Sequence, residues 1–224
     1  MIAAARHPAP EAADALAWLC ESYWRPVYGF IRRRVPNPDD AADLTQEFFA
    51  RALDRGYLAQ ARPDRGRFRS FLMAALTNFL SNEADRHRAI KRGGRVRILS
   101  IEMNDGEACL EPASPDDTPE RIFERQWALA VLDAALARLR QDCAAKNQTR
   151  LFERLQPYLS GDHPAARYAD VARELDMSEG TLRTAMSRLR KRFAKLLYEE
   201  VAQTVAEPGE VEAELRYLIG VVSR

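Results

Sequence analysis

The feature that most constrains the fold is an apolar period. Phe71, Leu72, Ala75, Leu76, Phe79 and Leu80 recur as i, i+1, i+4, i+5, i+8 and i+9, which puts all six on one face of a helix. Similar spacing runs through most of the 224 residues and strand alternation is almost absent, so the sequence predicts an all-α chain. "LAWLCESYWRPVYGFIRRRV" (16–35) reads as a helix with Pro26 as a kink or break and Gly29 as a weak point. A second helix starts near Asn37 and ends around Arg55-Gly56. Asn37 is a good N-cap, Pro38 suits the first helical position, and Asp39 and Asp40 meet the positive end of the helix dipole. Pro63 and Gly66 punctuate the turn before the Phe71–Leu80 helix, which Gly93-Gly94 ends. Helical pattern resumes at Pro119 with Ile122, Phe123, Trp127, Leu132, Leu136 and Leu139. A shorter helix holds Leu151, Phe152, Leu155 and Leu159 and stops at Ser160-Gly161.

Charge is segregated along this scaffold, although the net value is only +1. "RHRAIKRGGRVR" (86–97) holds six cations and no acid; the following "SIEMNDGEACLEPASPDDTPE" reverses the sign and, rich in Pro, Asp and Ser, reads as a linker. A second basic block, "RTAMSRLRKRFAK" (183–195), precedes an acidic tail. Two basic modules with acidic spacers point to a polyanion contacted at two places. Asp39, Asp43 and Glu47 lie four apart on one helical strip, where like charges repel by a few tenths of a kcal/mol per pair, about 0.2–0.5. Helix stability alone does not explain such a strip.

Other classes of function find little support. No uninterrupted apolar run approaches the roughly 20 residues of a membrane span, and the first residues lack a secretion-signal core, so no membrane insertion and a cytoplasmic location are expected. Cys20, Cys109 and Cys143 are far apart and form no C-x-x-C pair, consistent with reduced thiols. His7, His87 and His163 are scattered, no Cys or Asp cluster has metal spacing, and no Gly-rich phosphate loop occurs. The expectation is a protein that is not an enzyme and takes no metal or cofactor.

"YADVARELDMSEGTLRTAMSRLRKRF" (168–193) carries the most chemistry. A short helix, Tyr168 to Leu175, turns inward Val171 and Leu175; Asp176-Met177 makes a turn; Ser178 is a natural N-cap. The next helix puts Leu182, Met186, Leu189, Phe193 and Leu196 on one inward stripe. Its outward face holds Glu179, Thr181, Arg183, Thr184, Ser187, Arg188 and Arg190/Lys191. Polar side chains for base edges and cations for flanking phosphates are what the recognition helix of a helix-turn-helix needs.

The combination resembles a sigma factor of the extracytoplasmic-function type, the smallest members of the sigma-70 family. "YWRPVYGFIRRRV…DAADLTQEFFARAL" is similar to the entry of that family's region 2, "FRSFLMAALTNFLSNEADRHR" to its promoter-melting helix, and the helix-turn-helix to its region 4. "LTQEFF", "GRFRSFL", "KRGG" and the extended C-terminus resemble a subgroup common in planctomycetes. The resemblance implies an all-α protein of two small helical domains: region 2 at residues 12–98, an acidic linker at 99–119, region 4 at 120–202, and a C-terminal helical extension at 203–224. It implies that core RNA polymerase and promoter DNA are the partners, with β′ clamp helices and β flap as the polymerase contacts. It also admits an anti-sigma factor.

By that resemblance Asp40, Asp43, Gln46 and Glu47 bind the clamp helices. Asn78, Asn82, Arg86, Arg88, Lys91 and Arg92 engage the minus-10 DNA. Ser178, Glu179, Thr181, Arg183, Thr184, Ser187, Arg188 and Lys191 meet the minus-35 element. Phe71 stands where the family usually has Trp and is expected in the core. Ala185 stands where many members have Arg. The tail exceeds a minimal member; Val211, Leu215, Leu218 and Ile219 give it an apolar stripe, expected to pack on the second domain with its acids near Arg190–Lys195. The competing reading is a helix-turn-helix regulator that does not bind polymerase, which would need no acidic helix.

Overall fold

A computed structural model of the chain describes residues 10–54, 67–90, 117–159 and 165–223. These residues are α-helical throughout, apart from short connections and two 3-10 turns: α1 (Pro10–Arg32), α2 (Pro38–Asp54), α3 (Phe68–Ile90), α4 (Pro119–Ala145), α5 (Thr149–Leu155), α6 (Ala165–Glu174), α7 (Glu179–Ala202) and α8 (Val211–Val222). The all-α expectation holds. The acidic spacer up to residue 116 and the basic block from Lys91 onward lie outside the described residues, as does the side chain of Arg88.

The chain divides into two compact units, residues 1–131 with 201–224, and residues 132–200. In the first, α1 runs unbroken through Pro26. Pro26 and Gly29 are buried among Val27, Phe30 and Ile31, so packing of that face offsets the roughly 3 kcal/mol that an interior proline costs. Phe48, Phe49 and Ala52 of α2 and Phe68, Leu72, Leu76 and Phe79 of α3 complete the face, with Phe123 and Trp127 from α4. Aromatic rings order this core. Tyr23 stacks on Trp127 with centroids 4.2 Å apart, and Phe48 meets Phe79 edge-on at 5.5 Å. Phe71 is half-buried and stacks on Phe68 at 6.2 Å, so it is a core-edge residue.

The tail belongs to the first unit. Val211, Glu214 and Leu218, spaced three and four apart, are its buried face, whereas Ile219 is 54% exposed. Val211 and Leu218 of the expected stripe are buried and Leu215 is half-buried, but Glu214 takes the remaining buried position and Ile219 is open. Glu214 accepts from Arg69 Nε at 2.7 Å and pairs with Arg67 Nε at 2.9 Å. The second-domain packing expected for the tail is replaced by this docking on α3, because buried charge pairing, absent from any apolar pattern, selects the face.

In the second unit two apolar clusters share Leu159 and Leu189. One joins Ala135, Leu139 and Cys143 of α4 to Phe152 and Leu196; the other joins Leu155 to Val171, Ala172, Leu182 and Met186. The inward stripe expected for α7 is the one observed.

Candidate nucleic-acid interfaces

The start of α2 is built as its sequence suggests. Asn37 Oδ1 accepts the backbone N–H of Asp39 at 2.8 Å and of Asp40 at 3.4 Å, and the Ala41 N–H reaches the Asn37 carbonyl at 3.0 Å. Asp39 and Asp40 are exposed and Asp43 and Gln46 half-buried; no described residue forms an ion pair with the three aspartates. Glu47 differs. Its side chain is 18% exposed, ion-paired with Arg51 one turn on and 3.7 Å from Arg86 of α3. The acids of α2 thus separate into exposed Asp39 and Asp40 with half-buried Asp43, and one glutamate committed to an internal network.

That network continues into α3. Arg51 Nη1 lies 2.7 Å from Glu83 Oε1, and Arg86 Nη1 stands 3.7 Å from the same oxygen. Burial alone would lower the Arg51 pKa, but hydrogen bonds and charge from Glu83 and Glu47 outweigh it and raise it, so the guanidinium is a fixed cation. Its carbon sits 5.2 Å from the centre of the Phe79 ring. Sequence reading missed Glu83. Its register gives the signal, since Glu83 follows Leu72, Leu76 and Phe79 at i+11, i+7 and i+4 and so falls on the buried face.

Beside the network a pocket opens between α2 and α3. Phe48, Ala52, Ala75 and Phe79 form its apolar part, and Arg51, Asn78 and Asn82 supply its polar groups. Asn78 and Asn82 are exposed on the outer face of α3, and Arg86 follows one turn on with half its side chain open. An aromatic-walled recess with two amides and a guanidinium can stack a planar base and address its edge.

The second unit presents α7. Asp176, with φ 53°, makes the turn after α6, a left-handed conformation that Asp tolerates better than most residues. Ser178 Oγ accepts the Thr181 N–H at 3.1 Å and exchanges a hydrogen bond with the Thr181 hydroxyl at 2.8 Å, confirming the cap. Glu179, Thr181, Arg183, Thr184, Ser187, Arg188 and Lys191 all face solvent. Arg183 reaches Glu179 at 3.4 Å, an exposed pair one turn apart that carries little energy.

The basic block is not uniformly outward. Arg190 donates to the Tyr158 carbonyl at 2.9 Å, and Arg192 Nε donates to Asp142 at 2.6 Å. Both therefore tie α7 to its neighbours, and the outward placement expected for Arg190 is corrected by that bond. Arg188 and Lys191 are the exposed cations of this stretch with no described partner. Between α4, α5 and α7 lies a groove floored by Leu139, Cys143, Phe152 and Leu155, with Lys146, Arg188 and Arg192 among its lining. Burial raises the Cys143 thiol pKa.

Among the described residues no group of His, Cys, Asp and Glu could hold a metal ion, and no helix is long and apolar enough to cross a membrane. Residues 19–90 match the family described as Sigma-70 region 2. The chain is also 28% identical over 192 residues to the ECF RNA polymerase sigma factor BldN of Streptomyces coelicolor; the alignment covers 84% of this chain and 62% of that relative. No solved structure matches significantly. The region 2 match contains the capped acidic helix α2, the pocket and the whole of α3. Over residues 19–90, then, the chain is similar to sigma-70 region 2.

Proposed function

We propose that this protein is a sigma factor of the extracytoplasmic-function type that binds core RNA polymerase, recognises minus-10 and minus-35 promoter elements and opens the DNA between them. The observation that carries the reading is the α2–α3 pair inside the region 2 match: free aspartates on one helix and an amide-rimmed aromatic pocket beside it.

Each part has a physical role. Asp39, Asp40 and Asp43 are drawn to the basic clamp helices of the β′ subunit, while Glu47 contributes charge from within its ion-paired network. The pocket takes one unstacked base. Flipping costs a few kcal/mol, and stacking on an aromatic ring returns about 1–3 kcal/mol, with Asn78 and Asn82 adding edge contacts. Arg86, with the cations that follow it in sequence, holds the displaced strand. In the second unit α7 enters the major groove of the minus-35 duplex. Arg183, Thr184 and Ser187 lie towards the bases; Arg188 and Lys191 hold phosphates. The apolar groove between α4, α5 and α7 suits an apolar segment of the β flap. An anti-sigma factor would compete for these same faces.

A helix-turn-helix regulator without polymerase contact is the alternative. It leaves the acidic start of α2 without a use. Run-off transcription by core polymerase across a genomic promoter library separates the two: the sigma reading predicts transcripts from a defined promoter set only when this protein is added. Duplex binding without any transcript would favour the regulator.

A further inference from the structure

Helix α3 starts badly by its own sequence. Its first turn holds no acid, and Arg67 and Arg69 stand at the end where the helix dipole is already positive. The missing negative charge and the missing cap both arrive from far along the chain. The Phe68 N–H, one of the unpaired donors of the first turn, reaches the Thr204 carbonyl at 2.9 Å. Glu214 of α8, 1% exposed, accepts a hydrogen bond from Arg69 Nε at 2.7 Å and is ion-paired with Arg67 Nε at 2.9 Å. Arg69 also donates to Glu124 of α4 at 3.0 Å, and its guanidinium lies 4.2 Å from the centre of the Tyr217 ring.

Apolar contact alone would leave slack in this arrangement. Val211 and Leu218 could slide or roll on a greasy surface, but two guanidinium nitrogens on one buried carboxylate admit a single register. A 12-residue helix is marginal in water by itself, so α8 owes its order to this seat. The dependence runs both ways, since α3 owes its capped, charge-balanced start to α8.

We propose that Glu214 is a positioning residue for α3: through Arg67 and Arg69 it fixes the pitch and rotation of the helix that carries Asn78, Asn82 and Arg86. The C-terminal extension is then a working part of the strand-opening unit. The inference rests on the promoter-opening reading given above.

The test uses the full chain with core polymerase and two variants. Glu214→Gln keeps the shape and removes the charge; Arg67→Gln, at a partly exposed position, removes one contact with less risk to folding. Core affinity should stay within about twofold, open-complex yield on a duplex promoter should fall about tenfold for Glu214→Gln and less for Arg67→Gln, and a pre-melted bubble promoter should restore it. Native opening by both variants would overturn the proposal. So would core binding lost in proportion to opening, which would reduce α8 to a support of the fold. Hydrogen exchange in α3, well below the melting temperature, stays informative even if the wild-type chain opens no promoter and the sigma reading itself fails. Faster exchange through Asn78 in Glu214→Gln supports the positioning role; unchanged exchange overturns it.

Discussion

Arg51 Nη1 of α2 and Glu83 Oε1 of α3 meet at 2.7 Å, and Glu83 is only 8% exposed in its side chain. Breaking one side of a largely buried pair leaves an uncompensated charge, whereas replacing both sides is often neutral. Arg51→Ala should therefore destabilise the first unit by about 3 kcal/mol, with Arg86 offsetting part of the loss, and Arg51→Met with Glu83→Met should recover most of it. Urea unfolding followed by Trp fluorescence reads both. An equal loss in the single and double variants would show that the pair is not the stabilising unit.

The aspartates at the start of α2 carry a different expectation from Glu47. Asp40→Arg with Asp43→Arg should weaken core-polymerase binding by several kcal/mol at low salt and cost only about 1 kcal/mol of stability, through the helix dipole at Asp40, because no described residue pairs with either. Glu47→Arg should lower both, since it also sets two arginines and a third cation against one another. Anisotropy against labelled core, beside thermal melting, makes the comparison. Native affinity in the aspartate double variant would remove α2 from the interface.

Asn78→Ala should impair strand opening while core affinity and melting temperature hold, because Asn78 is exposed and lines the pocket without supporting the core. Loss of one base-edge contact is worth about 1–3 kcal/mol. A shift in base preference at a single promoter position should accompany it. Equal losses for every sequence would assign Asn78 to the backbone instead.

On α7 the arginines separate by their bonds. Arg188→Ala and Lys191→Ala should each reduce the salt slope of duplex binding by about one unit without changing sequence preference. Arg192→Ala should act on stability instead, because its guanidinium holds Asp142. Ser178→Ala removes the cap of α7 and should cost about 1 kcal/mol of second-unit stability. Titrations at two or more salt concentrations, with denaturant curves alongside, distinguish these effects.

What the sequence made legible was local. The Asn37 and Ser178 caps, the open face of Asn78, Asn82 and Arg86, and the inward stripe of α7 all follow from spacings of a few residues, which the chain spells out directly. What it concealed was tertiary. Pro26 stays inside a continuous helix because the surrounding face is buried, a fact no local rule contains. Arg190 and Arg192 look like surface cations until the 3-10 turn after α5, and α4, supply their acceptors. Glu83 and Glu214 occupy core positions that a polar-outside rule assigns to solvent; each is held there by arginines on another helix, or in Glu83's case also on its own. Glu214 is the hardest case, since Arg67 and Arg69 lie far from it in sequence.

On the proposed function, this chain makes core polymerase open promoter DNA. Permanganate reactivity of unpaired thymines, on a promoter recovered by run-off transcription, tests it most directly. Reactivity is expected around the minus-10 element when core and this protein are both present, none with either alone, and a marked loss with Asn78→Ala. Opening by core alone, or a duplex that stays closed with both present at saturating concentration, would contradict it.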